Sequence, residues 1–98
     1  MIIRLTFSHA DPDKVTDIRA LYLSKELNDF FNSQPGHRFH YLLESGEDKS
    51  DIIFLTAWDS VEEMDAAYAS EAHHVVGSKF KPFLTAPSSK RIYEVHEA

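Results

Sequence analysis

The chain has 98 residues, enough for one domain around one core, and its 43% hydrophobic and 12% aromatic content excludes a disordered polymer. It carries no cysteine, so disulfides, thiol catalysis and thiolate metal sites are excluded. A formal net charge of −6 argues against a nucleic-acid partner, which would need a basic stripe for phosphate contacts.

The first ten residues have no long apolar core behind a basic head, and no apolar run approaches membrane-spanning length. A cytoplasmic protein without a membrane partner is the expectation. Ile2 to His9 reads as a strand, with Ile3, Leu5 and Phe7 on an apolar face and Arg4, Thr6 and Ser8 on a more polar one. Asp11 and Pro12 open a helix, as a cap and a first-turn proline. Val15, Ile18, Leu21, Tyr22, Leu27, Phe30 and Phe31 then form one stripe, which predicts a single amphipathic helix of about five turns.

Gln34-Pro35-Gly36 stops that helix, because Pro cannot continue it and Gly tolerates a left-handed turn. Arg38 to Ser45 reads as the second strand, with Phe39, Tyr41 and Leu43 opposite His40, Leu42 and Glu44. A polar loop, Gly46 to Ser50, joins it to an antiparallel neighbour. The third strand, Asp51 to Trp58, is apolar on both faces. Ile53, Leu55 and Ala57 point one way, and Ile52, Phe54, Thr56 and Trp58 the other. Such a strand is central and covered on both sides. In one small domain the helices cover one side, so a second copy of the chain is expected on the other.

Ser60 with Glu63 forms a capping box for the next helix, whose apolar face holds Met64, Ala67 and Tyr68. Ser70 recaps a second piece running from Glu71 to about Phe83, with a bend near Gly77. A loop carrying Pro and Ser follows, and Lys90 to Glu97 is the last strand. The order β-α-β-β-α-β predicts a ferredoxin-like α+β domain spanning residues 1–98, with helices on one face of a four-stranded antiparallel sheet.

This order, the Pro35-Gly36 turn, Thr56-Ala57-Trp58 at the end of the third strand, Trp58 through Met64 after it, and Ser70 through His73 resemble the antibiotic biosynthesis monooxygenase superfamily. The resemblance covers nearly the whole chain and is strongest from Ile52 to Phe83. It implies a homodimeric α/β barrel in which each subunit has a pocket between sheet and helices. It also implies oxygenation of a small aromatic, phenolic or quinol metabolite by O₂ with no cofactor. A non-catalytic small-molecule binding dimer and a haem-binding or haem-degrading protein are the alternatives. The haem branch departs most: the first strand has no Asn, and Ala67 and Gly77 stand where its helix Trp and ligand His would align. Phe54 stands where the polyketide-oxidising branch has an Asn.

Oxygenation without a cofactor needs a base for the phenol, aromatic walls and a dry pocket. His73, Trp58 and Tyr68 are the expected catalytic residues, with His73 as base. Phe7, Tyr41, Phe54, His74, Phe80 and Phe83 are the expected substrate-binding set. His73 and His74 lie about 100° apart around a helix, so one of them faces inward. The family match favours His73. Adjacent helical histidines do not converge on one ion, so no metal is expected. His9 and His40 are more simply structural, and His37 and His96 carry no signal beyond exposed positions.

Overall fold

The computed structural model describes residues 1–98. Four strands, β1 (Ile2–His9), β2 (His37–Glu44), β3 (Asp51–Trp58) and β4 (Ser89–Glu94), form one antiparallel sheet in the order β2-β3-β1-β4. The doubly apolar β3 and β1 are central, as the ferredoxin-like topology requires. Four helices, α1 (Val15–Tyr22), α2 (Lys25–Asn32), α3 (Val61–Ala69) and α4 (Glu71–Ser78), supply the cover for one sheet face. The core lies there, where Ile52, Phe54 and Trp58 pack with Ile18, Leu27, Phe31, Met64 and Ala67. No helix is long and apolar enough to cross a membrane.

The single long helix expected after Asp11 is instead a 3₁₀ turn, Pro12–Lys14, followed by two α-helices. The break is at Ser24, whose backbone is extended. Its hydroxyl donates to the Leu21 carbonyl at 2.7 Å and accepts from the Leu27 N–H at 3.3 Å, ending one helix and capping the next. The gap from Tyr22 to Leu27 also exceeds a helical step, so two short stripes meet the core at different angles. The second helical region breaks as foreseen at Ser70, which caps α4 through the His73 N–H. It does not reach Phe83, however. α4 runs through Gly77 and stops at Ser78, and Pro82 sits in a separate 3₁₀ turn, Lys81–Phe83. The last strand likewise starts and ends earlier than expected, at Ser89 and Glu94.

The sheet face away from the helices is apolar across strands β1, β2 and β3, with Arg91 and Ser89 of β4 at its edge. Phe39, Ala57, Ile3 and Tyr93 form one cross-strand row, Tyr41, Leu55 and Leu5 the next, and Leu43, Ile53 and Phe7 a third. Tyr41 is 58% exposed there and Leu43 43%. Alternation along β1 and β2 places Phe7 and Tyr41 on this face and Arg4, Thr6 and His40 on the helix face.

Gly36 makes the turn into β2. Its φ of +80° is a left-handed conformation, its carbonyl accepts from the Asp59 N–H at 2.8 Å, and a Cβ there would lie 2.4 Å from the Glu63 carboxyl carbon. The Glu63 side chain can move aside, so the backbone conformation is the larger obstacle. Gly36→Ala is expected to destabilise the chain by about 1–2 kcal/mol. Urea unfolding should give a similar loss in a Glu63→Ala background; full rescue there would assign the cost to the side-chain clash instead.

Candidate functional site

Between sheet and helices lies a cavity of about 610 Å³. β1 contributes Arg4 and Thr6 to its floor, and β3 contributes Phe54. Tyr22 of α1, Leu27 and Phe31 of α2, Tyr68 of α3, and His73 and Val76 of α4 form the walls, with Phe80 beside them. The loop from Leu84 to Ser88 forms an exposed rim. The walls are chiefly aromatic: Tyr22 packs on Phe54 at 4.8 Å and on Phe80 at 4.4 Å between ring centroids, and Phe31 lies 5.4 Å from Phe54.

One polar line crosses this apolar surface. The Trp58 indole N–H donates to the Thr56 hydroxyl oxygen at 2.9 Å, and that hydroxyl meets the Tyr68 hydroxyl at 3.1 Å. The Arg4 guanidinium lies 3.5 Å above the centre of the Tyr68 ring, and the His73 ring stands edge-on to Tyr68 at 4.6 Å. Arg4 and Thr56 are cross-strand partners, which sets this spacing. Burial lowers the Arg4 pKa, with the Tyr68 hydroxyl and Asp65 acting the other way. Its Nε is buried with no hydrogen-bond partner, and none of the chain's ion pairs includes it.

Burial also lowers the His73 pKa, with Arg4 and His74 adding charge repulsion, so the imidazole is neutral at pH 7. Burial raises the Tyr68 phenol against opposing pulls from Thr56 and Arg4. It pushes Tyr22 up to about 12, against a weaker pull from Ser8. Both phenols are therefore neutral hydroxyls at pH 7. Gly77 faces His73 from the next turn of α4, and a Cβ there would meet the His73 ring at 3.7 Å, an ordinary contact.

His73, Tyr68, Phe54 and Phe80 come together on the cavity wall. Trp58 and Thr56 are fully buried behind it, and Trp58 connects to the wall only through Thr56 and Tyr68. The other expected lining residues are set apart. Phe7 and Tyr41 occupy the opposite sheet face, because odd positions of β1, and of β2 from Phe39 onward, point away from the helices. His74 is on the exposed side of α4, about 100° around from His73. Phe83, in its own 3₁₀ turn, packs at the edge of the core. Arg4, Thr6, Tyr22 and Phe31 were not foreseen. The alternation of β1 carries the signal for Arg4 and Thr6, but alternation alone does not say which face the helices cover.

A second polar cluster lies on the far side of Phe31, whose ring is 6.2 Å from His37 and 5.6 Å from His40. A register shift between His37 and Phe39 adds a residue to β2, so His37 and His40 share the helix face opposite Trp58 and Thr56. This corrects the reading of His37 as merely exposed. His40 Nδ1 is 2.9 Å from His37 Nε2, and its Nε2 is 2.6 Å from Asn28 Oδ1. The Asn28 amide donates to the carbonyls of Tyr22 and Ser24, so its oxygen accepts from His40. A neutral His40 must then accept from His37 Nε2–H. Burial lowers both imidazole pKa values, helped at His37 by His40. No group of three or more His, Cys, Asp or Glu side chains is placed to hold a metal ion.

A family model described as antibiotic biosynthesis monooxygenase matches residues 1–76. Among solved structures, a candidate antibiotic biosynthesis monooxygenase from Nitrosomonas europaea superposes with a TM-score of 0.84 at 14% identity, over 97% of this chain and 98% of that one. Rv0793 from Mycobacterium tuberculosis gives 0.80 at 18% identity, over 99% and 96% of the two chains. A variant of SnoaB, a cofactor-independent oxygenase from Streptomyces nogalater, gives 0.73 at 17% identity, over 99% and 93%. No curated protein matches the chain by sequence. At these identities the likeness to solved structures is one of fold.

Thr56 is fully buried and is the only polar partner of the Trp58 indole. Thr56→Val keeps its shape but strands that N–H, so a loss of about 1–3 kcal/mol is expected in chemical unfolding. A neutral result would mean that the indole finds another partner.

Proposed function

The chain belongs to the antibiotic biosynthesis monooxygenase family, and from that premise we propose that it oxygenates a small aromatic phenol or quinol in the cavity between its sheet and helices, as a homodimer and without a cofactor. The observation that carries this reading is the placement of a neutral His73 on the wall of an aromatic cavity that is large enough for a flat metabolite. SnoaB, which shares the fold, is described as a cofactor-independent oxygenase, and this supports the choice of chemistry.

In this reading the substrate's ring lies against Phe31, Phe54 and Phe80. His73 removes a proton from it, and a neutral imidazole of lowered pKa is in the right form to do so at pH 7. The resulting anion is electron-rich enough to reduce O₂. Overall, in the keto tautomer of such a phenol, as in an anthrone, the ring CH₂ and O₂ become C=O and H₂O: one oxygen atom stays on carbon, the other leaves as water, and the carbon gives up both hydrogens. Tyr68 holds a neutral hydroxyl beside the substrate, and Trp58 fixes Thr56 and, through it, Tyr68. The aromatic walls exclude competing water.

Oxygen uptake by metal-stripped protein supplied with anthrones, dihydroxynaphthalenes and quinols is the direct test. Uptake above the autoxidation blank is expected, reduced by roughly 10²-fold or more in His73→Ala. It should fall as pH drops through the lowered His73 pKa, so that more than half of the activity remains at pH 6.5, the ordinary imidazole value. No uptake with any of these substrates would refute the oxygenase reading. A haemin Soret shift lost in His73→Ala would replace it with haem binding.

The homodimer rests on the open sheet face. Monomeric soluble proteins rarely leave so broad an apolar surface in water, and a second copy laid face to face covers it by symmetry. Sedimentation at micromolar concentration should give a dimer that Leu5→Lys disrupts. A well-folded monomer of the unmodified chain would overturn the assignment.

A further inference from the structure

We propose that the cavity selects aromatic carboxylic acids, and that the guanidinium of Arg4 is the group that receives the carboxylate. This inference deepens the reading of the cavity as a small-molecule site and rests on it.

Charge distribution is the first observation. The chain has 16 acidic residues against 10 Lys and Arg and a net charge of −6, yet no Asp or Glu lines the cavity. The charged residues that do are Arg4 on the floor and Lys81 near the rim. An acidic protein has thus kept its acids out of this one hollow and placed cations there. A negative ligand entering it meets attraction from both; Asp65, which acts on Arg4, lies outside the lining and forms no ion pair with it.

The state of Arg4 is the second. Arg4 is half-buried, and an arginine withdrawn that far from water is commonly paired with a carboxylate or other acceptors. Arg4 has no ion pair, and its Nε is buried with no acceptor. Because the Nε is enclosed, the two Nη groups, which make no hydrogen bond within the chain, are the donors open to a ligand. The guanidinium carbon lies 3.5 Å over the Tyr68 ring centre, and this contact holds the planar group, a fork of N–H donors, against the cavity wall. That fork matches a carboxylate, which accepts two parallel hydrogen bonds from it. The attraction is stronger in this partly enclosed apolar space than in open water.

The remaining walls define the rest of the ligand. Phe31, Phe54 and Phe80 offer ring faces and edges, so the acid group sits on a flat aromatic body. Arg4 and His73 both adjoin Tyr68, so a ligand anchored by its carboxylate at Arg4 brings its ring alongside the imidazole. Arg4 is then a binding residue that sets which ring carbon faces His73.

Calorimetric titration of the full chain with 2-naphthoate and with the neutral isostere 2-naphthamide at pH 7 tests this. Naphthoate is expected to bind about 10- to 100-fold more tightly, the factor that charge-assisted hydrogen bonds provide. Arg4→Met should remove the preference, so that the two probes bind within about twofold of each other in the variant. Arg4→Lys keeps the charge without the planar fork and should retain a reduced preference; it decides the question if the Met variant does not fold. Equal binding of the two probes, or a preference that survives Arg4→Met or is undiminished in Arg4→Lys, overturns the role of Arg4 and leaves the cavity reading standing. Failure of both probes to bind overturns the cavity reading and this inference with it.

Discussion

The structure depends on the central strand β3 having an apolar side chain at nearly every position. Its even-numbered residues, Ile52, Phe54, Thr56 and Trp58, are buried under the helices. Its odd-numbered ones, Ile53, Leu55 and Ala57, are the middle column of the open sheet face. Because both faces of one strand are apolar, the helices can satisfy only one of them. Everything on the covered side, including the cavity, follows from how four short helices lie over four side chains. Everything on the other side is a mainly apolar surface that a single copy of the chain leaves partly in water.

Thr56 is the one polar residue among those even positions, and its hydroxyl joins the scaffold to the candidate site. It takes the indole N–H of Trp58, which would otherwise be a buried unpaired donor, and it meets Tyr68 from α3. Tyr68 in turn supports Arg4 on one ring face and His73 at close edge contact. A cation from β1 and an imidazole from α4 are therefore held around one phenol by contacts made between separate elements. The same surroundings that exclude water keep the phenol protonated and the imidazole neutral. Burial and chemistry are one property here.

Local signals in the chain carried most of the fold. Ser60 and Ser70 announced the starts of α3 and α4, because a hydroxyl that satisfies an orphan N–H is a short-range device. Gly36 marked its turn because only a residue without Cβ adopts φ near +80° at little cost. Of the site, His73, Tyr68, Phe54 and Phe80 were legible from helical position, strand register and family resemblance. Ser24 was not read as a break. Its neighbours on both sides belong to apolar stripes, and a serine within a helical pattern can equally point to solvent.

The sequence by itself determined that there are four strands, that β3 is central, and that β1 and β2 have two unlike faces. These are consequences of period and composition, and they need no knowledge of neighbours. Only the tertiary structure decided which face of β1 the helices cover. Period-two alternation says that Arg4 and Phe7 point opposite ways, but it is the packing of the helices on the sheet that sends Arg4 into the cavity and Phe7 to the open face. Likewise the extra residue between His37 and Phe39 turns two histidines three apart onto one face, beside Asn28 from α2. A bulge of that kind depends on the register of the paired strand, and register is set by the partner strand and the layers around it.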